Sequence, residues 1–242
     1  MPDAPGSPSA PPARKIVPIV EGYGEVDAVP ALLYRILHGA DVYDFLIGTP
    51  RNAHGKDNLL KAEGVERFLR LALLDPGCAA VLIVLDAADD CPLTLARVLA
   101  ARVRALRPER PVAVVVANRM YECWLVASRE TVFPGGVLPP LPTDLDPEAV
   151  SAKAHLDDCL RDLHGSGRAY KETSDQADMT RRLDPVLASL RSRSFRRLES
   201  AIAQLRRAVE EGDNALVTPD TPVPSHSPAD AVRSRRKRRY RR

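Results

Sequence analysis

The 242-residue chain has no apolar run long enough to cross a bilayer. Stretches such as Ala79 to Leu85 fall far short of the roughly 20 residues that a membrane helix needs. Its opening residues, Met1 to Pro8, lack a basic segment followed by an apolar one, so no secretory signal is expected. The four cysteines (Cys78, Cys91, Cys123 and Cys159) show neither C-x-x-C spacing nor the density of a disulfide scaffold. The five histidines have no metal-ligand spacing. Gly22 and Gly24 complete neither G-x-x-x-x-G-K-[ST] nor G-x-G-x-x-G, which argues against a nucleotide fingerprint. No repeat of 20–50 residues is visible. A reduced, cytoplasmic protein without membrane contact is the expectation.

What is present is the composition of a globular protein, 45% hydrophobic and 28% charged. The formal net charge of +3 hides an asymmetry. Residues 233–242 (RSRRKRRYRR) carry eight Lys or Arg and no acid, so the rest of the chain is net acidic. Five of the 22 prolines fall within residues 1–13, and four more within 212–231 among Thr, Ser, Asp and His. Such segments bury too little apolar surface to offset ordering entropy. Residues 1–14 and 212–242 are therefore expected to be disordered, and 15–211 to form one folded domain.

Inside that domain, β-branched runs at Ile16–Val20, Val42–Ile47, Ala80–Leu85 and Val112–Ala117 alternate with helical patterns. Leu59 to Leu73 and Leu95 to Leu106 repeat apolar residues at three and four. Val26 to Leu37 does the same, with Pro30 suggesting a late start. This alternation predicts an α/β fold with a parallel sheet. Pro18 is a blemish in the first strand, because proline cannot donate to a ladder. From about residue 146 the chain reads as helical, over Ala149–Leu163 and again over Asp184–Glu211.

Ligands of open parallel sheets bind at the carboxyl ends of the strands. Glu21 and Glu25 follow the first strand, Asp86, Asp89 and Asp90 the third, and Glu122 the fourth. Crowded carboxylates repel unless a cation or protons compensate, and hard oxygen ligands suit Mg²⁺ or Mn²⁺. An acid after a strand, taken alone, is more often a turn former or helix cap. Trp124 and Leu125 read as core anchors, His54 as part of a solvated loop, and the cysteines as inert.

Ile-Val-Pro-Ile-Val-Glu21-Gly-Tyr-Gly-Glu25, Leu-Asp86-Ala-Ala-Asp-Asp-Cys-Pro and Tyr-Glu122-Cys-Trp-Leu together resemble the DUF4276 family. The resemblance runs from about Lys15 to Leu198 and includes Tyr170-Lys171 and Ser194-Phe195-Arg196-Arg197-Leu198. That family is regarded as Toprim-like and related to the nuclease half of the OLD proteins. The resemblance implies a Toprim-like domain with divalent-metal (Mg²⁺ or Mn²⁺) phosphodiester chemistry but supplies no substrate. Nucleic acid, DNA before RNA, is the expected partner, and the relatives suggest a role in defence against phage or plasmids. Carried over, Glu21 matches the first-strand acid, Asp86 the first Asp of Asp-x-Asp, and Glu25, Glu122 and Lys171 the further acids and lysine of OLD-type sites. The implied metal ligands are Glu21, Glu25, Asp86, Asp89, Asp90 and Glu122, with Glu21 and Lys171 as catalytic groups. One departure stands out: the second Asp of the motif falls on Ala88. Asp89 or Asp90 is expected to replace it. The alternative is a non-catalytic nucleic-acid-binding or sensor subunit with a degenerate metal site. OLD relatives join an ATPase to the Toprim domain, so a separate ATPase partner is a further expectation.

The basic tail generates the first prediction. Phosphates are its natural partners, and each one neutralised on duplex DNA contributes a salt slope near −0.9. Deleting residues 233–242 should weaken nucleic-acid binding uniformly across sequences and flatten its salt dependence. Binding titrations at several salt concentrations test this. Identical slopes with and without the tail would reduce it to a solubility feature.

Overall fold

A computed structural model describes residues 14–133, 138–164 and 168–219. The expected disorder of residues 1–13 and 220–242 lies outside the described residues. The described strands form one parallel sheet in the order β2-β1-β4-β5-β6. They are β1 (Arg14–Val20), β2 (Phe45–Ile47), β3 (Arg51–Asn52), β4 (Cys78–Asp86), β5 (Val112–Ala117) and β6 (Val217–Thr218). β3 also pairs with β1, continuing the edge that β2 begins. Nothing in the described residues is a helix long and apolar enough to cross a membrane.

Period-two alternation sends the strands' side chains to two separate cores. Ile16, Val20, Leu82, Val84, Ala113 and Val115 face one core with α1 (Tyr23–Gly39) and α10 (Arg193–Glu211). Val17, Ile19, Val81, Ile83, Val114 and Val116 face the other with α3 (Gly64–Leu73) and α4 (Pro92–Ala105). Both faces are covered, which is why β4 and β5 read as unbroken apolar runs. Trp124 and Leu125 are fully buried, as expected.

Pro18 is accommodated by a gap. The Ile16 and Val20 carbonyls accept from Gly48 and Ala53, so even-numbered residues of β1 face the β2/β3 side. β2 pairs with Arg14 to Ile16 and β3 with Ile19 and Val20. The missing N–H of Pro18 falls between them, where no ladder bond is needed.

Several boundaries differ from expectation. α1 starts at Tyr23 and carries Pro30 inside it. The Leu59–Leu73 pattern splits into α2 (Lys56–Leu60) and α3, with Glu63 left-handed at φ 54° between them. Gly64 is required there, because a Cβ would collide with the Asn58 carbonyl oxygen. Between α5 (Glu122–Ala127), α6 (Arg129–Val132) and α7 (Ala152–His164) the described chain is a loop, so helix resumes at Ala152 rather than near 146. The segment Glu172–Gln176 is a π-helical turn leading into α8 (Ala177–Thr180). The last helical stretch divides at Ser192 into α9 (Pro185–Arg191) and α10. The chain beyond Glu211 is also ordered further than expected, because β6 adds to the edge of β5.

The division at Ser192 has a cause. Ser192 caps α10 through Phe195 N–H (3.0 Å), and its hydroxyl donates to Glu148 Oε1 (2.6 Å). That same oxygen accepts from the Ser194 N–H (2.8 Å) and hydroxyl (2.7 Å), while Oε2 accepts from Asn118 (3.0 Å). Ser194 in turn accepts from the Trp124 indole N–H at 2.8 Å. One buried carboxylate thus fastens the start of α10 to the end of β5.

Burial alone would raise the Glu148 pKa, but the Ser192, Asn118 and Ser194 donors hold it below the usual carboxylate range. A lowered folded-state pKa gives stability that is present above the unfolded pKa and lost as pH falls through the folded one. Glu148→Gln puts an amide donor among donors. It should cost about 2 kcal/mol at neutral pH, the scale of a hydrogen bond to a charged group. Urea unfolding should show the deficit shrinking below about pH 4, near the unfolded glutamate pKa.

Candidate functional site

All strands run one way, so β1, β4 and β5 deliver their ends to one rim. Glu21 is the first residue past β1, Asp86 the last of β4, and Glu122 opens α5 after β5. Carboxylates tie these ends together. Glu21 Oε2 accepts the Asp86 N–H at 3.0 Å, and Asp86 Oδ1 accepts the Tyr121 N–H at 2.8 Å. Glu25, in the first turn of α1, accepts the Gly22 N–H at 2.8 Å and so caps its own helix. Among the described residues, no hydrogen bond reaches the second oxygen of Glu21 or Asp86.

Glu122 is 2% exposed. Its Oε1 accepts the Tyr170 hydroxyl at 3.1 Å and lies 3.9 Å from Lys153 Nζ. Lys153, on the first turn of α7, also pairs with Glu172 on the π-helical turn. A floor of packed aromatics lies beneath. Tyr121 packs against Trp124 with ring centroids 5.0 Å apart and planes tilted by 56°, and its hydroxyl meets Thr180 Oγ1 at 3.0 Å. The Gln176 side chain closes against Gly24, where any Cβ would strike it, and its Oε1 is buried without a hydrogen-bond partner among the described residues.

The electrostatics follow from this crowding. Burial raises the Asp86 pKa well above its usual value, and Glu122, Glu25 and Glu21 add to the rise. Burial likewise raises Glu25, helped by Glu122 and Glu21. Glu122 is raised by burial although Lys153 pulls the other way. For Lys153, burial lowers the pKa, but Glu172 and Glu122 more than offset this and leave it raised. Desolvation and the Glu122 charge push the Tyr170 phenol far up, so it stays a neutral donor.

Glu21, Glu25, Asp86 and Glu122 therefore act on one another. The other expected residues stand differently. Asp89 is exposed, and Asp90 Oδ2 lies 3.2 Å from Lys56 Nζ, which also donates to the Ala87 carbonyl. Lys171 is exposed, and its backbone N–H donates to Asp175. The lysine beside Glu122 is Lys153 rather than Lys171, because α7 packs on α5 and carries it there. Sequence reasoning missed Lys153 and Glu172. Only their places beside expected elements hinted at them, and no motif spacing marks either.

A divalent ion suits the donor chemistry here, since four hard carboxylates gather at the rim and, among the described residues, their ion pair is that of Lys153 with Glu122. The side chains do not yet form its shell. Among the described residues, no three Asp, Glu, His or Cys groups stand in metal-holding geometry.

The raised acids generate a pH prediction. A carboxyl whose folded pKa exceeds its unfolded one contributes stability below the unfolded pKa, and that contribution is lost as pH rises through the folded pKa. Asp86→Asn keeps the oxygen that accepts from Tyr121 and removes the charge. The variant should melt a few degrees above the parent at about pH 8, with the gain fading toward about pH 4, where the unfolded carboxyls protonate. Thermal melts across this range, without added metal, measure it.

Residues 20–203 match the family described as "Domain of unknown function (DUF4276)". No curated protein and no solved structure matches the chain.

Proposed function

The chain belongs to the DUF4276 family, and from that premise we propose that it is a Toprim-like, divalent-metal-dependent nuclease acting on nucleic-acid phosphodiesters, DNA above all. The observation that carries this reading is the gathering of Glu21, Glu25, Asp86 and Glu122 at one rim, where burial raises the pKa of Glu25, Asp86 and Glu122 and the charge of Glu21 adds to the rise at Glu25 and Asp86. Acids with raised pKa values gathered at the strand ends of a parallel sheet are candidates for a functional site. These four would hold Mg²⁺ or Mn²⁺. The ion would supply Lewis acidity and an activated water.

The protein's own groups have distinct tasks in this reading. Glu21 and Asp86 spend one oxygen each on backbone N–H groups of the neighbouring strand end, which fixes their direction. Tyr170 orients Glu122. Lys153 neutralises charge on the phosphate, the task the family pattern assigned to Lys171. A role in defence against phage or plasmids, and work alongside a separate ATPase, belong to the same proposal.

A second reading, a nucleic-acid-binding or sensor subunit that does not cut, is favoured by one observation. Ala88 occupies the place of the second motif aspartate, and Asp90 is engaged by Lys56.

The purified protein should cleave DNA with Mg²⁺ or Mn²⁺. Glu21→Gln and Lys153→Met should each lose about 10²-fold or more, the usual cost of removing one transition-state contact. Lys171→Met should change little. Mn²⁺ should also raise the melting temperature of the parent and not that of Asp86→Asn, by preferential binding to the folded state. Absence of cleavage with either metal, alone and with the native partner, removes the enzyme. Binding without cleavage that survives Glu21→Gln selects the second reading.

A further inference from the structure

The edge of β5 is only partly covered. β6 pairs with Val112 and Ala113, which leaves Val114–Ala117 at the border of the described sheet. Val112 N–H donates outward to Leu216, whereas the carbonyls of Pro111 and Ala117 accept from β4 and its continuation at Ala87. By the alternation of a parallel ladder, the even-numbered residues of β5 turn their backbone groups to the open side. The Val114 carbonyl and both backbone groups of Val116 therefore point outward. None of the three has a hydrogen-bond partner among the described residues. Val114 and Val116 are only 4% and 5% exposed. Buried backbone groups are nearly always paired in native proteins, so this edge calls for a partner.

The same residues floor a groove of about 630 Å³. One wall is apolar, with Leu93 and Ala96 of α4. The other is α10, with Arg193 and Arg197. These two arginines make no hydrogen bond or ion pair among the described residues. Glu148 also lines the groove, but four donors already surround its charge.

We propose that this groove is a strand-addition site for an extended, acidic segment of a partner protein. The floor offers two carbonyls and one N–H in ladder order. A phosphodiester backbone has only acceptors and would leave both carbonyls unpaired, whereas a peptide strand answers donor with acceptor all along. Alternate side chains of an added strand point to opposite walls, so apolar residues meet α4 and acidic ones meet Arg193 and Arg197. The groove runs to Asn118, just before Tyr121 and Glu122, so the occupant ends beside the carboxylate rim.

The probe is a short capped peptide alternating Val and Glu, titrated into the full chain. It should bind, and its N-methylated forms should separate: methylation at one alternate set of residues abolishes binding while the other set is tolerated. Arg193→Glu with Arg197→Glu should weaken binding about tenfold or more and invert its salt dependence, because added salt screens attraction in the parent and repulsion in the variant. The Val116 amide should exchange quickly in the free protein and slowly with peptide. Equal tolerance of both methylated sets, or no binding, overturns the proposal. So does a Val116 amide already protected in the free chain, which would mean that the edge is filled from within. A groove that takes a short oligonucleotide instead of the peptide also overturns it.

Discussion

Strands that all run in one direction must all end at one rim, and every feature of the candidate site depends on this. β1, β4 and β5 carry Glu21, Asp86 and Glu122 to the same place from points far apart in the chain. An antiparallel neighbour would have sent one of them to the far side. The acids then reinforce the arrangement that gathered them, since Glu21 accepts from the end of β4 and Asp86 from the turn after β5. Strand direction brings the carboxylates near, and their backbone hydrogen bonds fix where they point.

Glu148 and Asp86 show how environment moves the pKa of a carboxyl in opposite directions. Glu148 is surrounded by hydroxyl, amide and backbone donors, and its pKa falls. Asp86 receives one backbone N–H and three negative neighbours, and its pKa rises. The first arrangement stabilises the fold, because the charge is satisfied in place. The second lowers stability at neutral pH, because the charge is neither paired nor fully solvated there. Lys153 lies between these cases. It relieves Glu122 but is shared with Glu172, so one cation serves two acids at the edge of the cluster.

What the sequence made legible was whatever depends on period and position. β5 is matched residue for residue, and β4 within two residues, because continuous apolar runs leave little freedom. Placing acids after strands needed only the parallel topology. The illegible parts turn on tertiary contact. Val217–Thr218 is too short to announce a strand and forms because the β5 edge is there to pair with. Ser192 breaks the last helical pattern through its bond to Glu148, a residue remote in sequence. Lys153 reaches Glu122 because α7 lies on α5, and no local pattern encodes that packing.

Ala88 carries the remaining tension. Its φ is 52°, in the left-handed region where alanine is strained and aspartate or asparagine is better tolerated. Its N–H donates to the Arg119 carbonyl at 2.7 Å, so the turn after β4 is held in that shape by the turn after β5. The backbone at position 88 is thus one that suits the aspartate of an Asp-x-Asp motif better than the alanine present. Ala88→Asp would relieve strain while adding a carboxylate near Asp86, and these effects oppose each other without a cation. Strain relief is independent of ions, whereas carboxylate repulsion vanishes once a divalent ion is bound. A larger Mn²⁺-induced stabilisation in Ala88→Asp than in the parent would therefore show that position 88 faces the cluster. An equal one would show that its side chain points away from the cluster.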